Sequence, residues 1–211
     1  MEYTGIDSSL DSTGIGYVMN SPASPELRRA VENFQYELHE RFGEDVYLPK
    51  DGALHITLLD WFTTNTTYTE DVDTLFSKIR DVVDEKTRSI LNSTPTFHIL
   101  FDKVELFPPC IILKATQQEA FPDIRKGIIS QVELTPGTKV PPPIVHCTIA
   151  AFRKHLPLSQ VQEAMKLLTL PIEEKITSFR LVRETKNRHQ AYEVLDTYPL
   201  ATGEPSSFAE V

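Results

Sequence analysis

The run Ala53-Leu54-His55-Ile56-Thr57-Leu58-Leu59-Asp60-Trp61 sets a histidine two residues before a threonine, and the chain repeats that pattern. The second copy is Ile144-Val145-His146-Cys147-Thr148-Ile149-Ala150-Ala151-Phe152. Both read apolar, apolar, His, any residue, Thr, Leu or Ile, two further residues, aromatic. The histidines stand 91 positions apart, at 55 and 146. In an extended strand, residues i and i+2 share a face. His55 therefore lies beside Thr57, and His146 beside Thr148, while Ile56, Leu58, Cys147 and Ile149 turn to the opposite side. One such pair is a weak signal, since a lone strand histidine is usually a packed core or edge residue. Two copies with matched flanks are a much stronger one.

Two imidazoles across a cleft suit general acid–base chemistry. An ordinary histidine titrates near 6.5, so one ring can hold a proton while the other accepts one. Threonine hydroxyls beside them can donate to phosphate oxygens. An in-line displacement at phosphorus has attacking and leaving oxygens on opposite sides, which two opposed histidines match. Such a site needs no metal when the substrate carries an internal nucleophile or a strained cyclic phosphate. A phosphate-binding G-x-x-x-x-G-K-[ST] loop, a dinucleotide fingerprint and an H-E-x-x-H zinc site are all missing from the sequence. No metal and no cofactor is expected.

The elements around the motifs repeat as well. Gly14 to Asn20 reads as a strand. Ser24 and Pro25 open a helix, with Leu27, Val31, Phe34, Leu38 and Phe42 on one face and Gly43 as its stop. The first histidine strand follows, then a helix over 70–91, a strand over 96–107 and a break at Pro108-Pro109. Next come a strand over 110–115, a helix over 118–134, a Pro-rich loop over 136–143, the second histidine strand and a helix over 158–168. A strand over 176–183 and a closing strand over 191–198 complete the chain. The order strand, helix, histidine strand, helix, strand thus occurs twice. It predicts a single α+β domain over 1–211, bilobal and duplicated, with halves at roughly 14–109 and 110–200. Antiparallel sheets would line a central cleft, with helices outside. A pseudo-twofold between the lobes would bring the two histidines together. Residues 1–13 and 203–211 read as flexible.

These residues resemble the two signature motifs of the two-histidine (2H) phosphoesterase superfamily, the group of the 2′-5′ RNA ligase and RNA 2′,3′-cyclic phosphodiesterase enzymes. The resemblance spans roughly residues 14–200. It implies a bilobal α+β fold with a cleft, His55 and His146 as general acid and base, Thr57 and Thr148 on the phosphate, and no metal. The expected activity is a metal-independent phosphodiesterase acting on a 2′,3′-cyclic phosphate or a 2′-5′ linked nucleotide or RNA end. Two rivals share the same cleft: a nucleotide- or RNA-end-binding module without turnover, and a reversible 2′-5′ RNA ligase.

Other residues carry weaker signals. Arg153 and Lys154 follow the second motif and could reach a phosphate. Trp61 and Phe152 end the two motifs, and Tyr47 and Phe107 could line the cleft. Arg153, Tyr47, Phe107 and Trp61 are the candidate substrate contacts, although core packing competes for the aromatics. His98 has no threonine two residues on and reads as structural; His39, His155 and His189 read as surface residues. Arg183, Lys186 and Arg188 read as the polar tip of a hairpin.

Composition sets the bounds. The 211 residues carry a net charge of −9, which disfavours long nucleic acid, since backbone binding needs clustered Lys and Arg. A small anionic ligand at one local site is compatible with it. Two cysteines without a spacing motif suggest neither a disulfide framework nor a zinc site. The polar, acidic start is unlike a secretory signal, and no apolar run approaches the roughly 20 residues that span a bilayer. The expectation is a cytoplasmic monomer with a small nucleotide or RNA-end substrate and no membrane partner.

Overall fold

The structure, a computed structural model, describes residues 2–117, 120–134, 138 and 144–202. Nearly all of the Pro-rich loop expected over 136–143, and the tail from 203, lie outside the described residues. Among the described residues nine strands form: β1 (Thr13–Pro22), β2 (Val46–Tyr47), β3 (His55–Phe62), β4 (Phe97–Phe107), β5 (Cys110–Gln117), β6 (Val145–Phe152), β7 (Ile172–Ile176), β8 (Ser178–Lys186) and β9 (Ala191–Pro199). Four α-helices accompany them: α1 (Pro25–Phe42), α2 (Val72–Leu91), α3 (Ala120–Ile129) and α4 (Leu158–Met165).

Local sequence explains the helix ends. Ser24 caps α1, its hydroxyl accepting from the Leu27 N–H, and Pro25 takes the first turn. Leu27, Val31, Phe34 and Leu38 are buried, and Gly43 ends the helix at φ 52°, a conformation glycine adopts without penalty. Asp71 caps α2 by accepting from Thr74 N–H, and Leu75, Phe76, Val83 and Leu91 face the core. Val82, on the same helix, is 42% exposed.

The strands form one curled antiparallel sheet, a half-barrel with the four helices outside. Its order is β7-β4-β5-β6-β3-β1-β8-β9, with β2 also beside β6. The two histidine strands, β3 and β6, are central neighbours. They meet as an antiparallel pair at Ile56 and Cys147. These two residues hold the same place in the two motifs. Pairing of equivalent residues across an antiparallel contact is what a local twofold produces. Continuing that register puts His55 across from Thr148 and Thr57 across from His146.

Three features depart from the sequence reading. The spatial halves, β3-β1-β8-β9 and β6-β5-β4-β7, are not the sequence halves 14–109 and 110–200. The Pro108-Pro109 turn ties β4 to β5 as a hairpin, from Phe107↔Cys110 to Leu100↔Gln117, so β4 joins the lobe of the second histidine. In return, β8 pairs with β1. The first sequence half thus contributes β4 and the short β2 to the lobe of the second histidine, and the second half contributes β8 and β9 to the lobe of the first.

The second departure is β7, a strand that the sequence pattern does not announce. Its centre is Glu174, a charged residue where an apolar one would mark a strand, and it is 1% exposed. The Glu174 carboxylate accepts from the Ser24 N–H (2.8 Å) and hydroxyl (2.6 Å) at the start of α1, where the helix dipole favours a negative charge. Burial pushes the carboxyl up, and the Ser24 hydrogen bonds oppose that. Glu174→Ala leaves these donors unsatisfied and is expected to cost about 1–3 kcal/mol, read as a lower urea midpoint at unchanged slope.

Third, residues 2–13 are not a loose tail. Thr4 N–H donates to Leu156 O, Gly5 N–H to Pro108 O and Asp7 N–H to Phe152 O, and Leu10 is 1% exposed. The segment lies along the lobe of the second histidine and reaches the β8–β9 turn.

Candidate active site

His55, Thr57, His146 and Thr148 line one cavity of about 190 Å³ over the junction of β3 and β6. Asp60, Arg125, Glu184, Asn187, Arg188 and His189 complete its polar lining. The pleat delivers both His–Thr pairs to this side. Their neighbours Ile56, Leu58, Cys147 and Ile149 are each 0% exposed in the core behind.

His55 Nδ1 lies 2.7 Å from Ala53 O. A carbonyl only accepts, so Nδ1 carries a proton whether the ring is charged or neutral, and Nε2 is the atom left to exchange one. Arg125, from α3, donates to Leu58 O and Thr57 O at 2.8 Å each, and to Ile144 O at 3.4 Å. It ties the backbone of β3 to the entry of β6 and brings a positive charge behind His146. Arg188 donates to Asp7 Oδ2 at 2.6 Å and makes a long 3.4 Å contact from Nη1 to Thr148 Oγ1.

Electrostatics hold the cleft imidazoles neutral. Burial first, then the Arg125 and Arg188 charges, lower His146 to about 4. Burial and the neighbouring His189 ring depress His55 well below 6.5; the Ala53 carbonyl and Glu184 oppose them. Burial and Arg180 lower His189 to about 3. Between pH 6.5 and these values the unfolded chain binds more protons than the native one, so stability rises with pH across that window. Thermal unfolding is accordingly expected to shift to lower temperature as pH falls from neutral towards about 4. Burial pushes the Glu184 carboxyl up, and that group contributes the opposite slope above its unfolded pKa.

The other candidates separate cleanly. Tyr47 and Arg153 line an adjoining cavity of about 520 Å³, with Lys50 and Tyr192; it shares Ala53 and His189 with the first. Trp61 is 1% exposed in the core and lines neither cavity. Phe107, 40% exposed at the β4–β5 turn, lines neither cavity. His98 pairs with Glu173 at the surface, and His155 contacts Thr4 O. His39, expected at the surface, lines the larger cavity.

His189 and Arg188 correct the sequence reading most. Expected at the surface and at a hairpin tip, both enter the site, and His189 is 3% exposed with its ring stacked on His55 at 3.8 Å between centroids. The turn Asn187-Arg188-His189-Gln190 carries positive φ at both central residues, 56° and 55°, as in a type I′ turn. Such turns prefer Asn-Gly, so Arg-His gave no sequence signal of one. Among the described residues no group of His, Cys, Asp and Glu converges as a metal site, and no helix is long and apolar enough to cross a membrane.

Comparison with known proteins agrees with this architecture. Residues 23–188 match the 2′-5′ RNA ligase superfamily, and the chain belongs to that family of 2H phosphoesterases. TT0787 of Thermus thermophilus shares the fold at TM-score 0.60 and 17% identity, over 90% of this chain and 100% of that one. Apo LigT of E. coli does so at TM-score 0.57 and 12% identity, over 90% and 100%. LigT complexed with 3′-AMP gives TM-score 0.54 and 12% identity, over 89% and 98%. At these identities the likeness is one of fold. No curated protein matches the sequence.

Proposed function

We propose that the protein is a metal-independent phosphodiesterase that opens a 2′,3′-cyclic phosphate or cleaves a 2′-5′ linked nucleotide or RNA end. The observation that carries this reading is the shared cavity: two histidines and two threonines from matched motifs, set across one antiparallel contact. One histidine takes a proton from the attacking oxygen. The other gives one to the leaving oxygen. Thr57 and Thr148 donate to the non-bridging oxygens, and Arg188, already beside Thr148, supplies positive charge. An incoming phosphate anion favours the imidazolium form and so raises a histidine that the protein by itself holds neutral.

The size of the two cavities supports a small nucleotide. The histidine cavity fits a phosphodiester group. The larger neighbour, with Tyr47, Tyr192, Lys50 and Arg153, has room for a nucleoside. The relative LigT has been crystallised with phosphate, ATP, NADP+ and 3′-AMP, ligands of this class. A monomer in the cytoplasm acting on free nucleotides or RNA ends belongs to the same reading.

The test is a panel of 2′,3′-cyclic nucleotides and 2′-5′ linked dinucleotides incubated with the protein in excess EDTA, with products resolved as 2′- or 3′-phosphates. Turnover of at least one class is expected. Tight binding with no product across the panel would sustain the binding-module alternative instead. Joining of 2′,3′-cyclic phosphate and 5′-hydroxyl ends would reveal ligation.

A further inference from the structure

Residues 2–12 precede the first strand, yet they come to lie beside the cleft. Backbone bonds fix their course along the lobe of the second histidine. Thr4 N–H donates to Leu156 O at 2.9 Å, Gly5 N–H to Pro108 O at 2.6 Å and Asp7 N–H to Phe152 O at 2.9 Å. Leu10 packs with Cys110, Ile112 and Ala151 and anchors the segment. The segment then crosses the turn between β8 and β9. Asn187 N–H donates to Ser12 O at 3.1 Å, the Asn187 amide to Ser9 O at 2.9 Å, and Gln190 Nε2 to Leu10 O.

Two aspartates of this segment meet arginines of the two cavities. Asp7 Oδ2 accepts from Arg188 Nε at 2.6 Å, and its Oδ1 accepts from the Ser9 N–H (3.1 Å) and hydroxyl (2.6 Å). The Asp7 side chain is 7% exposed and that of Arg188 25%, so solvent screens this bridge little. Asp11 accepts from Arg153 Nη1 at 2.5 and 2.6 Å. The Asp11 side chain is 66% exposed, and a surface pair of that kind contributes little. Asp7 is therefore the residue of the segment with a consequence for the site. It lies before residues 23–188, the stretch that matches the family, whereas Arg188 is the last of them.

The direction of the bridge matters. Arg188 spends its Nε edge on Asp7, and its Nη1 lies 3.4 Å from Thr148 Oγ1 in the histidine cavity. A guanidinium holds its five N–H donors in one plane at the end of a flexible stem. Fixing one edge fixes that plane. The backbone adds to the constraint, since Arg188 sits at φ 56°, a region long side chains rarely adopt. Segment 2–12 closes over this turn. Without Asp7 the Nε edge is released, and the side chain regains its rotamer freedom.

Resting on the phosphodiesterase reading above, we propose that Asp7 is a positioning residue, holding the Nε edge of Arg188 so that the Nη1 end faces a phosphate oxygen bound beside Thr148. Segment 2–12 is then a working part of the site, supplied from before the first strand. Asp7 itself does not line the histidine cavity, so it acts through Arg188. Its carboxylate also offsets part of the Arg188 charge, which by itself would weaken phosphate binding. Alignment outweighs that offset, because an arginine already in place needs no reorganisation as charge develops on the phosphate.

The experiment is a double-variant cycle between Asp7→Asn and Arg188→Gly with two readouts. One is kcat/KM on whichever phosphodiester is turned over. The other is affinity for 3′-AMP, a phosphate ligand with no diester to cleave. Asn keeps an oxygen for the Ser9 N–H and hydroxyl, presents an amide where Arg188 needs an acceptor, and leaves the backbone bonds of the segment intact. Asp7→Asn is expected to lower kcat/KM by about 10- to 100-fold and to weaken 3′-AMP binding. In the Arg188→Gly background the same change is expected to cost nothing further in either readout. Wild-type values in Asp7→Asn, or tighter 3′-AMP binding, would overturn the positioning role. An equal loss in both backgrounds would overturn it too, since that marks a disturbance of the fold. His55→Ala separates this role from the reading beneath it. If His55→Ala is inactive while Asp7→Asn matches wild type, the positioning role falls and the phosphodiesterase reading stands. If no phosphodiester is turned over but the cycle still shows coupling in 3′-AMP binding, the phosphodiesterase reading falls and the positioning of Arg188 stands. Neither turnover nor 3′-AMP binding in wild type would overturn both.

Discussion

Replacing either His55 or His146 with alanine is expected to lower kcat by about 100- to 10,000-fold, the range that a positioned acid or base contributes. Both rings line one cavity over a twofold-like contact between β3 and β6, so neither has a substitute on the opposite side. The double variant is expected to lose little more than the single variants, because two groups serving one displacement act as a unit. Stability is expected to move the other way. Both rings are held neutral by burial, so removing either one lessens acid destabilisation below pH 6.5. Intact unfolding temperature at neutral pH beside lost turnover would place the defect in chemistry. Retention of wild-type kcat in both single variants would contradict the assignment.

The second large effect is expected at Arg188. Its guanidinium sits between Asp7 and Thr148, where a phosphate oxygen bound by Thr148 would meet it. Removing a preorganised stabiliser of developing charge typically costs about 100- to 1,000-fold. Arg188→Gly is the cleanest variant. The residue has φ 56°, which glycine adopts freely, so the turn is relieved while the charge is lost. Asp7 keeps its hydrogen bonds from Ser9 N–H and Oγ. The expected result is a fall of about 100- to 1,000-fold in kcat/KM with no loss of thermal stability. A variant as active as wild type would place Arg188 outside the phosphate site.

These effects show which parts of the site the sequence could reveal. The His-x-Thr pairs were legible because a strand converts spacing of two directly into a shared face, and because the pattern occurs twice. Helix α1 was legible because Ser24, Pro25 and Gly43 act on their own neighbours. Glu174 was not, since its meaning lies in a contact with Ser24, 150 positions earlier. His189 and Arg188 were hidden for a related reason. A polar four-residue turn reads as solvent-facing, and only the N-terminal segment packed across it turns both side chains inward. The exchange of β4 and β8 between lobes was half legible, in the short Pro108-Pro109 hairpin. Its partner, the pairing of β1 with β8, closes across most of the chain.

The central claim is that one of two opposed histidines acts protonated and the other neutral on a phosphodiester. The most direct measurement is the pH dependence of kcat for opening a 2′,3′-cyclic nucleotide, or for cleaving a 2′-5′ linked dinucleotide if that is the class turned over, with EDTA in excess throughout. The expected result is a bell with two limbs, unchanged by the chelator and abolished by loss of either His55 or His146. A rate that EDTA removes, or one that persists without His146, would contradict the account.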